Sequence, residues 1–410
     1  MVAIRPFRAL RYDPASAPDL SRVIAPPYDV IAPEEQAQLY QASPYNVIRL
    51  ILGTQSPSDT PQDNRYTRAA RDFNAWRSAG VLRRDETPGL YLVEHQFAIA
   101  GTAACRLGFI ALLELQERMD QAVYRHEATL SAPKEDRTKL LEAVPANLEP
   151  IFCIYPDEGA AVQTALREAG RKAPPVAEAT LHGERLRLWA ITEASVLDLV
   201  AARLASVAVL IADGHHRFEV SCAQRGRYGA LMSYFVSMEE PALRVQPIHR
   251  LVHSDRAADL GALTQLCELE PAQDLGAVLS WLERTEGQGR FGYCDGRALY
   301  QATVKPAVLA RWLMTPPVPL PVAALDVSVL HHLVLPGLGV NGTGVRYAAD
   351  AARVVEDVKS GAANAAWLLR PIPLPQVYAL ASQGLLLSPK STYFYPKVPS
   401  GLTINPWSAD

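Results

Sequence analysis

Residues 207–220 read VAVLIADGHHRFEV. The apolar run up to Ala212 has strand character, and it breaks at Asp213-Gly214-His215-His216-Arg217 before a helical pattern resumes. A chain that leaves a strand at Asp213 and enters a helix through Gly214 points the first N–H groups of that helix into the space beyond the strand. Those donors and the positive helix end make an anion site. Gly214 lets the backbone approach a phosphate with no Cβ in the way. His215, His216 and Arg217 add donors, and Arg217 is expected to grip two phosphate oxygens at once. Asp213 is placed to ligate Mg²⁺ or to accept a proton from a hydroxyl group. Two plainer readings stand beside this one. Asp213 is also a good N-cap above histidines that line a surface turn, and histidines with a carboxylate suit a metal. However, adjacent His215 and His216 diverge on a helix.

Outward from the turn, strand-like and helix-like segments alternate. ERLRLWAIT, ASVLDLVAARLA, VAVLIAD and HRFEVSCAQRG follow one another, then strands ALMSYFVSM and VQPIHRLVH. This is the pattern of a mixed α/β layer. Upstream, GLYLVEHQFAIAGTAACRLGFIALLELQ predicts paired strands around a glycine turn, and DNRYTRAARDFNAWRSAG predicts a helix. A short charged helix is expected from about Pro133 and a buried strand over 150–155. Downstream, the proline-rich MTPPVPLPVAALD precedes helix VSVLHHLVL and further strands and helices. The fold class is therefore mixed α/β (α+β) and multi-domain. The expected division is 1–155, 156–313 and 314–410, the last segment completing the site.

Bulk numbers narrow the function classes. The 410 residues exceed one ordinary core, and 49% apolar with 20% charged residues is globular composition. With 40 basic and 43 acidic side chains the net charge is −3, which gives no electrostatic reason to expect nucleic acid. No apolar run reaches the ~20 residues of a membrane span, and the first residues lack a signal-peptide core. A cytoplasmic protein without membrane or nucleic-acid partners is expected, and homo-oligomerisation stays open. The five cysteines form no C-x-x-C pair, so neither zinc nor disulfides are expected.

Three further segments carry candidates. RHEATLSAPKEDR gathers His126, Glu127, Thr129, Lys134 and Arg137. His126 and Glu127 are placed to hold a proton or a metal ion, and Lys134 and Arg137 at i, i+3 to meet a phosphate. A solvated charged helix would look the same. Asn147 can offer an amide contact or cap a turn. APPYDVI stiffens its backbone with Pro26 and Pro27 and presents Tyr28 and Asp29 as a substrate wall, or packs Tyr28 on the core. SPKSTYFYPKVPSG offers Lys390, Ser391 and Thr392, but without the glycine lead of a P-loop. Lys390 and Ser391 are expected to reach phosphate and Thr392 substrate. His249, His331 and His332 read as core or helix-face histidines, and the glycines of PGLGVNGTG as a flexible loop.

The Asp213–Arg217 turn resembles the nucleotide-binding signature of the ParB/sulfiredoxin superfamily. That superfamily holds CTP-hydrolysing partition proteins, ATP-dependent sulfiredoxins and free-serine kinases. His215 stands where a sulfiredoxin has its reactive cysteine, and the basic helix-turn-helix extension of a partition protein is missing, which leaves the kinase branch. Over the whole chain, IRPFRALRYD, APPYDVI, YNVIRLILG, YRHEATLSAPKEDRTKLLEAVPANLEPIF, IADGHHRFE and SPKSTYFYPKVPSGL occur in this order. Together they resemble the domain of unknown function 1015 family. The resemblance of the turn to the kinase branch, not family membership, implies Mg²⁺ with ATP or ADP as donor and a small polar metabolite as acceptor, free L-serine first. In this reading Asp213 or Glu127 is base or Mg²⁺ ligand. A nucleotide-hydrolysing switch without an acceptor, and a metal-dependent phosphohydrolase built on His126, Glu127, Asp213 and His215, are the alternatives.

Overall fold

Near-continuous apolar runs bury both faces of Leu90–Ile99 over 90–93 and of Thr102–Glu114 over 107–113, and Gly101, at positive φ, turns the chain between them. In the computed structural model, which describes residues 1–99, 101–129, 131–284, 286–340 and 342–407, this hairpin is the centre of a nine-stranded sheet. Its main path runs Val123–Tyr124, Val209–Asp213, Ile151–Tyr155, Ala230–Ser237, Thr102–Glu114, Leu90–Ile99, Glu184–Ile191, Ala177–Leu181. Ile4–Arg5 pairs with the far end of Thr102–Glu114. Two pairings are parallel, Val209–Asp213 on Val123–Tyr124 and Ala230–Ser237 on Ile151–Tyr155. The others in this sheet are antiparallel. Mixed α/β is thus the observed class, and the central strand, turn and helix lie where the sequence puts them.

One face of this sheet buries Leu92, Phe109, Ile151, Ile211 and Phe235 beneath helices Ala161–Arg171 and Ala194–Ala205. The opposite face is aromatic. Tyr234 lies against Gly108, and the guanidinium of fully buried Arg106 stands over the rings of Phe152, Tyr234 and Phe97 at 5.1, 5.5 and 6.0 Å. A second apolar cluster joins helices Arg65–Ser78 and Ser131–Ala143 to Val47, Ile48 and Ile404. Asn64 caps the first of these helices in a reciprocal capping box with Thr67.

The chain forms two compact units. The first comprises Met1–Tyr124, Thr129–Leu243 and the stretch from Pro396 onward; the second comprises Arg125–Ala128 and Arg244–Tyr395. These bounds differ from the three consecutive segments expected. A cut after residue 155 would separate Ile151–Tyr155 from Val209–Asp213, its antiparallel neighbour in the same sheet. The second unit has a six-stranded antiparallel sheet in the order Cys267–Ala272, Leu299–Val304, Arg290–Cys294, Ala365–Leu368, His249–Val252, Val345–Ala348. The first three of these strands are absent from the sequence reading. In VSVLHHLVL, helix Asp326–Val329 widens into a π turn over Leu330–Val334. Among the described residues, no helix is long and apolar enough to cross a membrane.

Gly108 gives a direct test of the aromatic face. A Cβ at this position would lie 2.4 Å from Tyr234 Cζ, and the ring is fully buried. Gly108→Ala is expected to destabilise the first unit by about 1–3 kcal/mol through overpacking. Differential scanning calorimetry should show its transition several degrees lower.

Candidate functional site

In the first unit the strand ends at Asp213, Gly214 takes φ 92° and ψ 27°, and the helix His215–Ala223 begins without a side-chain cap. Both the positive φ and space demand glycine, because a Cβ would sit 2.7 Å from Ile151 Cγ2. The strand register shifts between Ile211 and Asp213, a bulge that re-aims the Asp213 side chain. The first backbone bond of the helix runs from Phe218 N–H to Gly214 C=O, so the N–H groups before it point out of the helix end. His215 is buried and His216 half-buried, as the divergence of neighbouring helical side chains requires.

The side chains at this turn are tied to one another. Arg217 Nη1 donates to the Pro150 carbonyl at 2.6 Å and Nη2 to Asp213 Oδ2 at 2.7 Å. Lys397 Nζ bonds Asp213 Oδ1 at 2.7 Å and Asp29 Oδ2 at 2.6 Å. Glu149 accepts from the Tyr28 N–H at 3.1 Å and the Ser400 hydroxyl at 2.9 Å, and lies 3.5 Å from Arg137 Nη1. The Arg137 guanidinium covers the Tyr28 ring at 3.8 Å and also donates to the Ile51 carbonyl and to Asp136. Thr129 and Lys134 both donate to Glu219 Oε2, at 2.7 and 3.1 Å, linking the helix Ser131–Ala143 to the helix of the turn.

Burial and charge act together here. Lys397 and Arg217 are each only 10% exposed at the side chain. Burial alone would lower the Lys397 pKa, but the carboxylates of Asp213 and Asp29 outweigh it and raise the pKa above the ordinary lysine value. Burial likewise opposes the charge of Arg217, and Glu149, Asp213, Tyr28 and Asp29 outweigh it. Burial pushes the Tyr28 phenol up to about 12, with Arg137 and Arg217 pulling the other way.

Several expectations change. Arg217, expected to grip a phosphate, brackets the turn here, with both Nη atoms engaged by Pro150 and Asp213 and Nε buried without a partner. Arg137 is 94% buried under Tyr28 rather than presented to solvent. Asn147 spends its side-chain oxygen on the Met232 N–H and the Asn405 amide, which makes it a strut. Sequence reasoning missed Glu149, Glu219 and the role of Lys397; a lone acid before Pro150 and a lysine between prolines were the only local signals.

His126, Glu127, Lys390, Ser391 and Thr392 belong to the second unit. His126 is buried, edge-on to Phe394, with Nε2 2.8 Å from the Thr392 hydroxyl. Glu127 accepts from the Ser391 N–H at 3.2 Å, and the Ser391 hydroxyl donates to the Ser388 carbonyl. Lys390 takes φ +60°, and its carbonyl accepts from Arg250 Nη2 at 2.9 Å. Arg250 Nε donates to His331 Nε2 at 2.8 Å from within the second unit. Burial, then Arg250 and His332, hold the His331 imidazole down at about 4. The His126 ring is thus closed in between Thr392 and Phe394.

The fit of Mg²⁺ was tested on the donor set. Both Asp213 oxygens accept from cations, and Glu127 stands in the other unit. Among the described residues no group of three or more His, Cys, Asp or Glu is arranged to hold a metal ion. Asp213 as placed does not suit a resident Mg²⁺.

A family profile described as a protein of unknown function (DUF1015) matches residues 4–328. The chain belongs to this family. No curated protein matches the sequence of this DUF1015 member. Among solved structures, a free serine kinase in complex with AMP is similar at 14% identity, covering 70% of this chain and 86% of that one, with TM-score 0.36. A conserved hypothetical protein from Pyrococcus furiosus is similar at 12% identity over 73% and 95%, TM-score 0.37. SbnI with a C-terminal truncation, from Staphylococcus aureus, is similar at 11% over 72% and 87%, TM-score 0.39. At this distance none of them lends a ligand or a residue role to the DUF1015 chain.

The ion network makes two predictions. Arg217→Ala leaves the Pro150 carbonyl and part of the Asp213 charge without a partner, and should cost near the low end of about 3–5 kcal/mol in chemical denaturation. Lys397 has a folded pKa above its unfolded value near 10.5, so its stabilisation is complete below that pH and fades as pH rises beyond it. The stability gap between wild type and Lys397→Met should be constant from pH 7 to 10 and narrow above 10.5. A gap that stays constant to pH 11.5 would refute the buried bridge.

Proposed function

We propose that this chain is a nucleotide-dependent phosphotransferase that moves a phosphoryl group from ATP or ADP to the hydroxyl of a small polar metabolite. The acceptor to try first is free L-serine, on the resemblance of the Asp213–Arg217 turn to the serine-kinase branch. One observation carries the reading. A strand ends in an obligatory glycine at positive φ and opens an uncapped helix, with two carboxylates and a lysine gathered at the same bend.

The donor phosphates would lie over the N-terminal end of the helix His215–Ala223, where backbone N–H groups and the helix dipole favour negative charge. His216, in the first turn of this helix, and Lys134, by leaving Glu219, would supply donors to those phosphates. Arg217 positions the turn through Pro150 and Asp213. Arg137 and Glu149 position Tyr28 and Asp29. Mg²⁺ would enter with the nucleotide as part of the substrate.

Asp29 suits the base better than Asp213 does. Its Oδ2 is held by Lys397, while its backbone stands at the rim of the site. In the transfer the acceptor oxygen bonds to the terminal phosphorus as the bond from that phosphorus to the bridging oxygen breaks. The hydroxyl proton passes to Asp29, and the nucleotide leaves one phosphoryl group shorter. Lys397, held between Asp29 and Asp213, sets the spacing of the two carboxylates.

The test has two arms. ATP or ADP with Mg²⁺ at a hundred times its dissociation constant should stabilise the folded chain by about 2.7 kcal/mol in a thermal-shift assay. Labelled phosphate should then pass to a hydroxyl metabolite, and Asp29→Asn should lower that transfer by about 10²–10⁴-fold while keeping the nucleotide shift. If no nucleotide shifts the melting of folded protein, the reading is wrong. A nucleotide shift with hydrolysis that no acceptor alters would make the chain a switch instead.

A further inference from the structure

A second cavity in the first unit lies away from the turn. Leu92, Leu107 and Trp189, all members of the sheet's apolar face or its edge, form its floor, and the helix Ala161–Arg171 forms one wall. Further along the same strands the facing residues become Glu94, Cys105 and Arg187. The cavity is half-open, with Arg167 and Arg171 exposed at its mouth, and its space is about 440 Å³, within the usual range for small-molecule sites.

Its charge is unbalanced. Arg187 is neutralised by Glu94, to which Nε donates at 2.9 Å, and lies over the Trp189 ring at 5.5 Å. Arg167 and Arg171 line the same cavity one helical turn apart, and among the described residues neither forms an ion pair. Like charges at i, i+4 weaken a helix by a few tenths of a kcal/mol. The carboxyl end of the helix accounts for Arg171, in the last turn, but Arg167 stands a turn earlier. The cavity is also preformed. At Gly170 a Cβ would lie 2.7 Å from Leu92 Cδ2, so the helix lies as close to the floor as a missing side chain allows. Trp189 Nε1 donates to the Ala173 carbonyl at 3.0 Å and fixes the exit of the helix.

We propose that this cavity binds a small organic anion with a flat apolar body, its rings on Leu92, Leu107 and Trp189 and its acidic group between Arg167 and Arg171. Apolar burial supplies affinity, and the two guanidiniums, which bind carboxylate, sulfonate or phosphate in bidentate fashion, supply the selection for an anion. The site is independent of the phosphotransfer reading and stands if that reading fails.

The probe is 8-anilinonaphthalene-1-sulfonate, titrated by fluorescence into the full-length chain. Its uncharged analogue N-phenyl-1-naphthylamine serves as control. Wild type should bind the sulfonate saturably and at least tenfold more tightly than the amine. Arg167→Ala/Arg171→Ala should lose at least tenfold for the sulfonate and less than twofold for the amine, with unchanged circular dichroism and melting. Where the double variant melts early, the single surface change Arg171→Glu should give a loss in the same direction. Absence of saturable sulfonate binding to wild type overturns the proposal, as does equal binding by the folded double variant.

Discussion

Lys397 between Asp213 and Asp29 is the contact on which the rest of the candidate site depends. Burial alone would discharge the Lys397 ammonium, and the carboxylates on either side of it outweigh that burial and hold its pKa above the ordinary lysine value. Through Asp213 the bridge extends to Arg217 and the Pro150 carbonyl. Through Asp29 it reaches the short helical turn Tyr28–Val30, whose first N–H rests on Glu149. Loop, strand end and helix start are thereby tied to one another by charge, above the apolar packing of Ile151, Ile211 and Phe218.

That network is close to neutral. Asp29, Glu149 and Asp213 face Arg137, Arg217 and Lys397, so the side chains leave no large positive field for a polyanion. An incoming phosphate must therefore rely on the uncapped helix end or take over a cation already engaged. Lys134, 38% exposed and tied to Glu219 by a single bond, is the cheapest of these to redirect. Arg217 is the most costly, because releasing it would orphan a carbonyl and weaken the bracket under Gly214. The cations thus divide into movable and fixed by burial and by the number of partners each holds.

This division explains what could be read from the sequence. Gly214 was legible because strand, glycine and helix lie within a few residues, and local geometry alone demands the residue. The hairpin around Gly101 and the capped helix at Asn64 were legible for the same reason. Glu149 and Lys397 were not, since each reaches the site through pairing of distant segments. Asn405 on Asn147 and Ser400 on Ala25 bring the end of the chain back against the first unit. Composition cannot report that both Nη atoms of Arg217 are engaged by Pro150 and Asp213. Nor can it report that Arg125–Ala128 is lent to the second unit in the middle of a run belonging to the first.

The second unit shows the same economy of charge in a different form. Lys390 holds a left-handed backbone, which costs a non-glycine residue roughly 1–2 kcal/mol. It does so with its carbonyl fixed by Arg250, a guanidinium with no exposure to water. Arg250 needs a second acceptor at its Nε, and His331 supplies it only as a neutral ring, since a protonated Nε2 would be a donor. Burial first, then the charge of Arg250, hold the imidazole down at about 4, in the neutral form that this acceptor role needs. The π turn over Leu330–Val334 carries His331. An extra residue in a helical ladder is invisible to periodicity, yet it belongs to the element that presents the ring to Arg250. A histidine pair that reads as ordinary helix face in the sequence is thus part of the support of a strained lysine, which only the folded chain could reveal.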